Sequence, residues 1–259
     1  MKIHIVGPGV VGKATGEGFA RFGHQVVYTD KDDDHSKPEA DVRFICTPEG
    51  VVDQVVKGIA AVREDHSYIV VRSTVPPGTC KRLAVETGTL IWHNPEWLRE
   101  ATSEMDFLNT RFAIIGDANP YPNGELNECP PLNELYTDMR VPIFYCLSDE
   151  SEMAKIVMNG YLATQISFWN DIKDICDGIG LNSHKVARLV TLDPRVSPYG
   201  AFAHGKPFGG KCLPKDLRTL IRLTGHGLSP PHIPVVSGAE VKNMDLLNRA
   251  SNKQNGDRI

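Results

Sequence analysis

The chain has 259 residues, 28 Lys and Arg against 32 Asp and Glu, and a formal net charge of −4. With 41% hydrophobic and 23% charged residues it can bury a core and is too apolar to stay disordered. No apolar run reaches the ~18 residues of a membrane span, no basic-then-apolar leader opens the chain, and no basic stripe invites nucleic acid. A cytoplasmic protein without membrane or nucleic-acid partners is expected. The six cysteines form no CxxC pair and the nine histidines no HxxxH or HExxH, so the thiols are read as reduced and no metal site is expected.

Residues 2–6 (KIHIV) form a β-like run that stops at Gly7, and a helix-compatible stretch continues to Gly23. Further strands are predicted at Val26 to Thr29, Val42 to Cys46, Ile69 to Val71, Arg111 to Ile115 and Val141 to Cys146, the alternation with helices that a parallel sheet requires. Residues 118–131, rich in Pro, Asn and Gly, read as a surface excursion. Asp149 followed by Glu152 predicts a capping box, and no proline interrupts the chain from there to Gly178. Apolar residues on nearly every side of this long helix suit burial between domains or subunits. The predicted division is 1–148 and 149–259, the second part being shorter helices around a glycine-rich loop at Gly205 to Gly210.

Gly7, Gly9 and Gly12 spell GxGxxG between a strand and a helix. Glycine there lets a pyrophosphate approach the backbone, including the amide of Val11, and the helix N-terminus favours its charge. Asp30 follows Gly12 by 18 residues, near the ~20 expected of a carboxylate that holds a ribose hydroxyl. Asp32, Asp33 and Asp34 would repel a 2′-phosphate, so NAD is preferred to NADP.

Lys155 and Asn159 stand four apart on the long helix, with Leu162 and Ile166 continuing their face, so both are predicted to point inward. There they could donate to an oxygen that gains charge in a transition state. In GGKCLPKD at residues 209–216, Pro214 fits the first turn of a helix, which puts Cys212 at its N-terminus, where dipole and Lys215 favour thiolate. Gly209 and Gly210 leave room beside the sulfur, and Asp216 lies one turn on, suited to a base. STVPPGT at residues 73–79 follows a predicted strand at the end where α/β sheets bind ligands, and NPEWLRE at residues 94–100 sets Glu96 and Glu100 four apart.

Together these motifs resemble, in order, those of the UDP-glucose/GDP-mannose dehydrogenase family: GxGxxG, STVPPGT, NPEWLRE, the ExxKxxxN of Glu152, Lys155 and Asn159, and GGKCLPKD. The resemblance extends from the first strand to about Asn248. It implies an α/β fold, a Rossmann-type parallel sheet followed by an all-helical dimerisation domain with a long connecting helix. It also implies a four-electron, NAD-dependent oxidation of a UDP-sugar such as UDP-glucose in a homodimer. By that resemblance Cys212 carries a thiohemiacetal and then a thioester. Lys155 and Asn159 stabilise the oxyanion, Asp216 with a water is the base, Thr74 positions that water and contacts cofactor, and Glu96 serves thioester hydrolysis. Glu100 lies near nicotinamide and sugar, Gly209 near the substrate, and Arg195 of Asp193-Pro194-Arg195 reaches the neighbouring subunit's substrate. Members of the family are longer, so a short form without the C-terminal UDP-binding domain is expected. Two other readings stand beside this one: a β-hydroxyacid dehydrogenase-like single oxidation, and a non-catalytic NAD-binding homologue that dimerises.

Overall fold

The structure is a computed structural model that describes residues 1–35, 38–62, 67–224 and 233–256, with side chains of the last helix described to Asn252. It packs as two units, Met1–Lys155 and Ile156–Ile259. None of its described helices is long and apolar enough to cross a membrane.

The first unit carries strands β1 (Lys2–Val6), β2 (Gln25–Thr29), β3 (Val42–Ile45), β4 (Tyr68–Val71), β5 (Ile91–His93), β6 (Ala113–Asp117) and β7 (Ile143–Leu147). They form one sheet in the order β2-β1-β3-β4-β5-β6-β7, parallel throughout except at β5 and β6. Strand alternation sorts the core into two layers. Ile3, Ile5, Val42, Phe44 and Val70 face Phe19 of α1 (Val10–Arg21), Phe107 of α4 (Ser103–Leu108), and Leu132 and Leu135 of α5 (Pro130–Asp138). Val6, Ile45, Ile69 and Val71 face α2 (Val52–Val62) and α3 (Thr79–Thr87). The order reverses between β1 and β3, and ligands of open α/β sheets bind at the carboxyl ends of strands at such a switch point.

Helix α6 (Ser148–Gly178) begins in the first unit and continues into the second, whose described residues add α7 (Ser183–Val190), α8 (Pro198–Ala203), α9 (Cys212–Leu223) and α10 (Pro234–Gly256). Ala163 and Ile166 of α6 pack with Phe208, Leu217 of α9 and Ala239 of α10, while Trp169 packs with Ala187 and Ala201. Gly200 matters here, because a Cβ would meet the Gln165 backbone at 2.7 Å.

Four expectations change. The strand predicted at 111–115 runs from Ala113 to Asp117, because its partner β7 starts after Pro142, whose nitrogen has no hydrogen to extend the ladder. The excursion at 118–131 ends in a helix: Pro130 and Pro131 open α5, where a missing N–H costs nothing. Strand β5, three residues long, was hidden inside an apolar run too short for alternation to show. Asp149 and Glu152 form no capping box, since Glu152 turns away to the N-terminus of α3 and Glu150 accepts from the Leu147 amide at 2.9 Å instead.

Candidate active site

At the end of β1 the backbone leaves through Gly7 at φ +91°, and a Cβ there would lie 3.0 Å from the Cys46 carbonyl oxygen and Thr47 Cγ2. A Cβ on Gly12 would fall on the Gly7 carbonyl oxygen, so neither position admits a side chain. Gly9 caps α1, whose first turn has no acidic residue, and the Val11 carbonyl accepts from the Thr15 hydroxyl at 2.8 Å. The free amides of this N-terminus suit an anionic pyrophosphate.

Asp30 directly follows β2, its carboxylate accepting from the Lys31 amide at 2.8 Å while its own amide donates to Asp33 Oδ2 at 2.8 Å. Gly7, Asp30 and Thr47 line a cavity of about 460 Å³ that continues along the apolar side chains Val51, Val55 and Ile59. The Thr47 hydroxyl is buried without a hydrogen-bond partner among the described residues, a group left for a ligand. Tight glycines, an uncapped helix start, an acidic residue after β2 and an apolar slot fit a dinucleotide.

The loop after β4 is tied to this end of the sheet. Ser73 Oγ donates to the carbonyls of Ile45 at 3.1 Å and Thr47 at 2.6 Å, and Thr74 beside it is half-buried. Glu152 secures the far side of the loop: its two carboxylate oxygens accept from the Gly78 amide at 2.7 Å and the Cys80 amide at 2.8 Å. Burial raises Glu152 to about 7 despite those donors.

Glu96 and Lys155, expected on separate grounds, are an ion pair. Lys155 Nζ lies 2.9 Å from Glu96 Oε1, with side chains 5% and 8% exposed, and 5.4 Å from the centre of the Trp97 ring. Glu96 Oε2 accepts from the Leu98 amide at 2.6 Å. Glu100, by contrast, opens an exposed turn after this segment.

In the second unit, Cys212 is the first residue of α9 and its thiol is exposed. One turn later Asp216 is 1% exposed; Asn159 Nδ2 donates to its Oδ2 at 2.5 Å, and Lys215 Nζ lies 2.7 Å from its Oδ1. Asn159 and Asp216, far apart in sequence, therefore meet. Gly209 and Gly210 are exposed, and a Cβ at either would meet nothing within 4 Å. The Arg195 side chain is 87% exposed and bound fork-to-fork by Asp193.

Sequence reasoning missed several buried polar residues of the first unit. Arg72 Nη1 donates to Asn94 Oδ1, which also accepts from the Tyr136 hydroxyl at 2.6 Å. His93 Nδ1 lies 2.7 Å from Ser151 Oγ, and burial pushes this histidine down to about 3. A charged or polar residue at the end of an otherwise apolar strand, as in VVRS and IWHN, was the available signal.

Residues 34–139 match the NAD binding domain, and residues 149–240 the central domain, of the UDP-glucose/GDP-mannose dehydrogenase family. The chain belongs to this family. Its cofactor is NAD. A UDP-glucose 6-dehydrogenase of Rhizobium meliloti (strain 1021) is 31% identical over 281 residues, covering 86% of this chain and 63% of that protein. A GDP-mannose 6-dehydrogenase of Pseudomonas aeruginosa is 31% identical over 209 residues, 70% of this chain and 46% of that one. The structure of a UDP-D-ManNAc dehydrogenase from Pyrococcus horikoshii superposes with a TM-score of 0.82 at 19% identity, covering 97% of this chain and 70% of that one. This family member thus spans about three fifths of the length of the first curated relatives it matches.

Proposed function

We propose that the chain is an NAD-dependent sugar-nucleotide 6-dehydrogenase, with UDP-glucose the leading substrate, that oxidises a primary alcohol to a carboxylate. Residues 1–148 hold the cofactor and residues 149–259 carry the reactive thiol. When bound, NAD accepts one hydride, so two NAD molecules taken up in turn would serve the two oxidations. The observation that carries the reading is the start of α9, with an exposed Cys212 thiol at its first position and a buried, Asn159-bound Asp216 one turn later.

The helix N-terminus favours Cys212 as thiolate, and its sulfur captures the aldehyde as a thiohemiacetal. Loss of a hydride and a proton from that adduct leaves a thioester, which water cleaves to the acid and the restored thiol. Asp216 takes protons through a water that Thr74 positions, while Lys155 and Asn159 donate to the oxygen that becomes anionic. Glu96, already paired with Lys155, holds the water of hydrolysis, and Glu100 and Gly209 lie beside nicotinamide and sugar.

The homodimer forms on α6, where Val157, Tyr161, Phe168, Ile175 and the following Ile179 are exposed at spacings of four and seven. Arg195, exposed on its own subunit, reaches the partner's substrate. The protein acts in the cytoplasm.

The test is the NADH formed per UDP-glucose consumed, with GDP-mannose and UDP-N-acetylmannosamine in parallel. A ratio near two is expected for the true substrate. Cys212→Ala should stop the second oxidation; unchanged turnover would instead favour a single oxidation of the β-hydroxyacid type, and no turnover of any sugar nucleotide by a folded, NAD-binding dimer would leave the non-catalytic homologue.

A further inference from the structure

The common dinucleotide-binding order carries another strand outside β2. Among the described residues β2 is the sheet edge, and residues 30–35 and 38–41, which lie between it and β3, carry no strand. This connector supplies a wall of the cofactor cavity through Asp30, Asp33, Asp34 and His35.

The connector is held by an arginine inside the sheet. Arg43 of β3 is wholly buried in register with His4 of β1. Its Nη1 donates to the His35 carbonyl at 2.9 Å, its Nη2 to the Pro38 carbonyl at 2.8 Å, and its Nε to Ser67 Oγ at 2.7 Å. Nη1 also lies 2.7 Å from His4 Nδ1. A guanidinium accepts no hydrogen bond, so His4 Nδ1 is the acceptor and the proton of its neutral ring sits on Nε2. That nitrogen is 2.7 Å from Thr29 Oγ1, which in turn is 2.8 Å from His35 Nδ1. Thr29 is 7% exposed, and with its oxygen accepting from His4, His35 Nδ1 is the recorded acceptor for its hydroxyl proton among the described residues. With Thr29 giving that proton to His35 Nδ1, the His35 ring proton sits on Nε2; the opposite direction, Nδ1–H into the second lone pair of the hydroxyl, is the arrangement the experiment below tells apart.

We propose that Arg43, acting through His4 and Thr29, is a positioning residue that presents His35 as an Nε2–H donor to the adenosine half of NAD. The proposal rests on the cavity beside Asp30 being the adenosine site. A fixed donor beside the carboxylate proposed to hold the ribose can pair with a hydroxyl or ring-nitrogen acceptor of the adenosine.

The experiment measures ADP-ribose affinity by calorimetry and the His35 tautomer by ¹⁵N NMR. Expected are an Nε2–H tautomer in the unaltered protein and an ADP-ribose Kd raised about five- to tenfold in His35→Ala, the value of one neutral hydrogen bond. His35→Gln, which retains a donor, should restore most of the affinity. Thr29→Val keeps the volume while cutting the relay and removing the acceptor of His4 Nε2–H, so it should lower Tm yet leave the protein folded, weaken ADP-ribose similarly and redistribute the His35 tautomer. Arg43→Lys should do less harm than Arg43→Met; if Arg43→Met fails to fold, Thr29→Val decides. An Nδ1–H tautomer, or a His35→Ala affinity within about twofold of the unaltered protein, overturns the proposal. An unaltered protein that binds neither NAD nor ADP-ribose overturns it together with the reading of the cavity, an outcome distinct from binding that ignores His35.

Discussion

Removing the ammonium of Lys155 should cost the first unit far more than an ordinary Lys substitution. Its Nζ is 2.9 Å from Glu96 Oε1, and both side chains are more than nine-tenths covered. At an effective dielectric of about 20, that separation corresponds to about 6 kcal/mol of attraction, opposed by several kcal/mol of desolvation for each ion. The intact pair is therefore worth little net. Lys155→Met keeps most of the volume but leaves the Glu96 carboxylate buried with the Leu98 amide as its remaining recorded donor, a loss of about 3–5 kcal/mol. The contact with Trp97 is lost too, worth about 0.5–2 kcal/mol. Glu96→Gln strands the ammonium instead, while the double variant strands neither charge. Urea unfolding followed by tryptophan fluorescence should show the double variant at least about 2 kcal/mol more stable than the two single losses add up to. Additivity within about 0.5 kcal/mol would refute the argument, because two groups that do not feel each other's charge are not a buried pair.

Gly18→Ala should destabilise by about 1–3 kcal/mol in thermal unfolding although alanine is the better helix former, since the new methyl falls on the Phe107 ring. Gly238→Ala in α10, whose Cβ would meet nothing within 4 Å, should instead raise Tm, by about 0.5–1 kcal/mol of stability; equal effects at both sites would sink the packing argument. Two buried groups set opposing pH dependences. Glu152, raised from 4.5 to about 7 by burial, contributes stability that is present below pH 4.5 and lost as pH rises through 7; His93, lowered from 6.5 to about 3 by burial, contributes stability present above 6.5 and lost as pH falls toward 3. Relative to the unaltered protein, Glu152→Gln should therefore gain Tm from pH 4.5 to 7, and His93→Gln should lose Tm from pH 4.5 to 6.5; parallel curves would contradict both assignments. Iodoacetamide should label Cys212 first, read by peptide mass spectrometry, because its thiol is exposed whereas burial pushes Cys46 up to about 12 and Cys146 to about 11. Faster labelling of Cys46 or Cys146 would contradict this.

What the chain disclosed before folding, and what it withheld, follows from the range of the interactions involved. Gly7 and Gly12 were legible because the demand on them is a backbone demand, an αL turn and a carbonyl with no room for a methyl, settled within a few residues. Cys212 and Asp216 were legible as one helix turn, since Pro214 marks where α9 begins. Glu152 was misread for the opposite reason. Its spacing from Asp149 satisfies a local capping rule, yet Gly78 and Cys80, more than seventy residues back, present two amides that the long helix brings within 2.8 Å. Pro130 and Pro131 were read as the end of a surface excursion when the same residues, placed first in a helix, start one.

His4 and Arg43 show the limit most clearly. Alternation between Ile3 and Ile5, and between Val42 and Phe44, marks both as facing away from one core layer, and a polar residue in that position ordinarily faces water. Here the second face is covered too, by a connector whose own carbonyls become the acceptors for the buried guanidinium. A pattern of period two reports which face a side chain takes, and the fate of that face depends on what later segments lay over it. The same rule applies to His35 and Pro38: their carbonyls satisfy a wholly buried arginine, so the sheet beneath holds the backbone at both places, and with it the point from which the His35 imidazole enters the cavity.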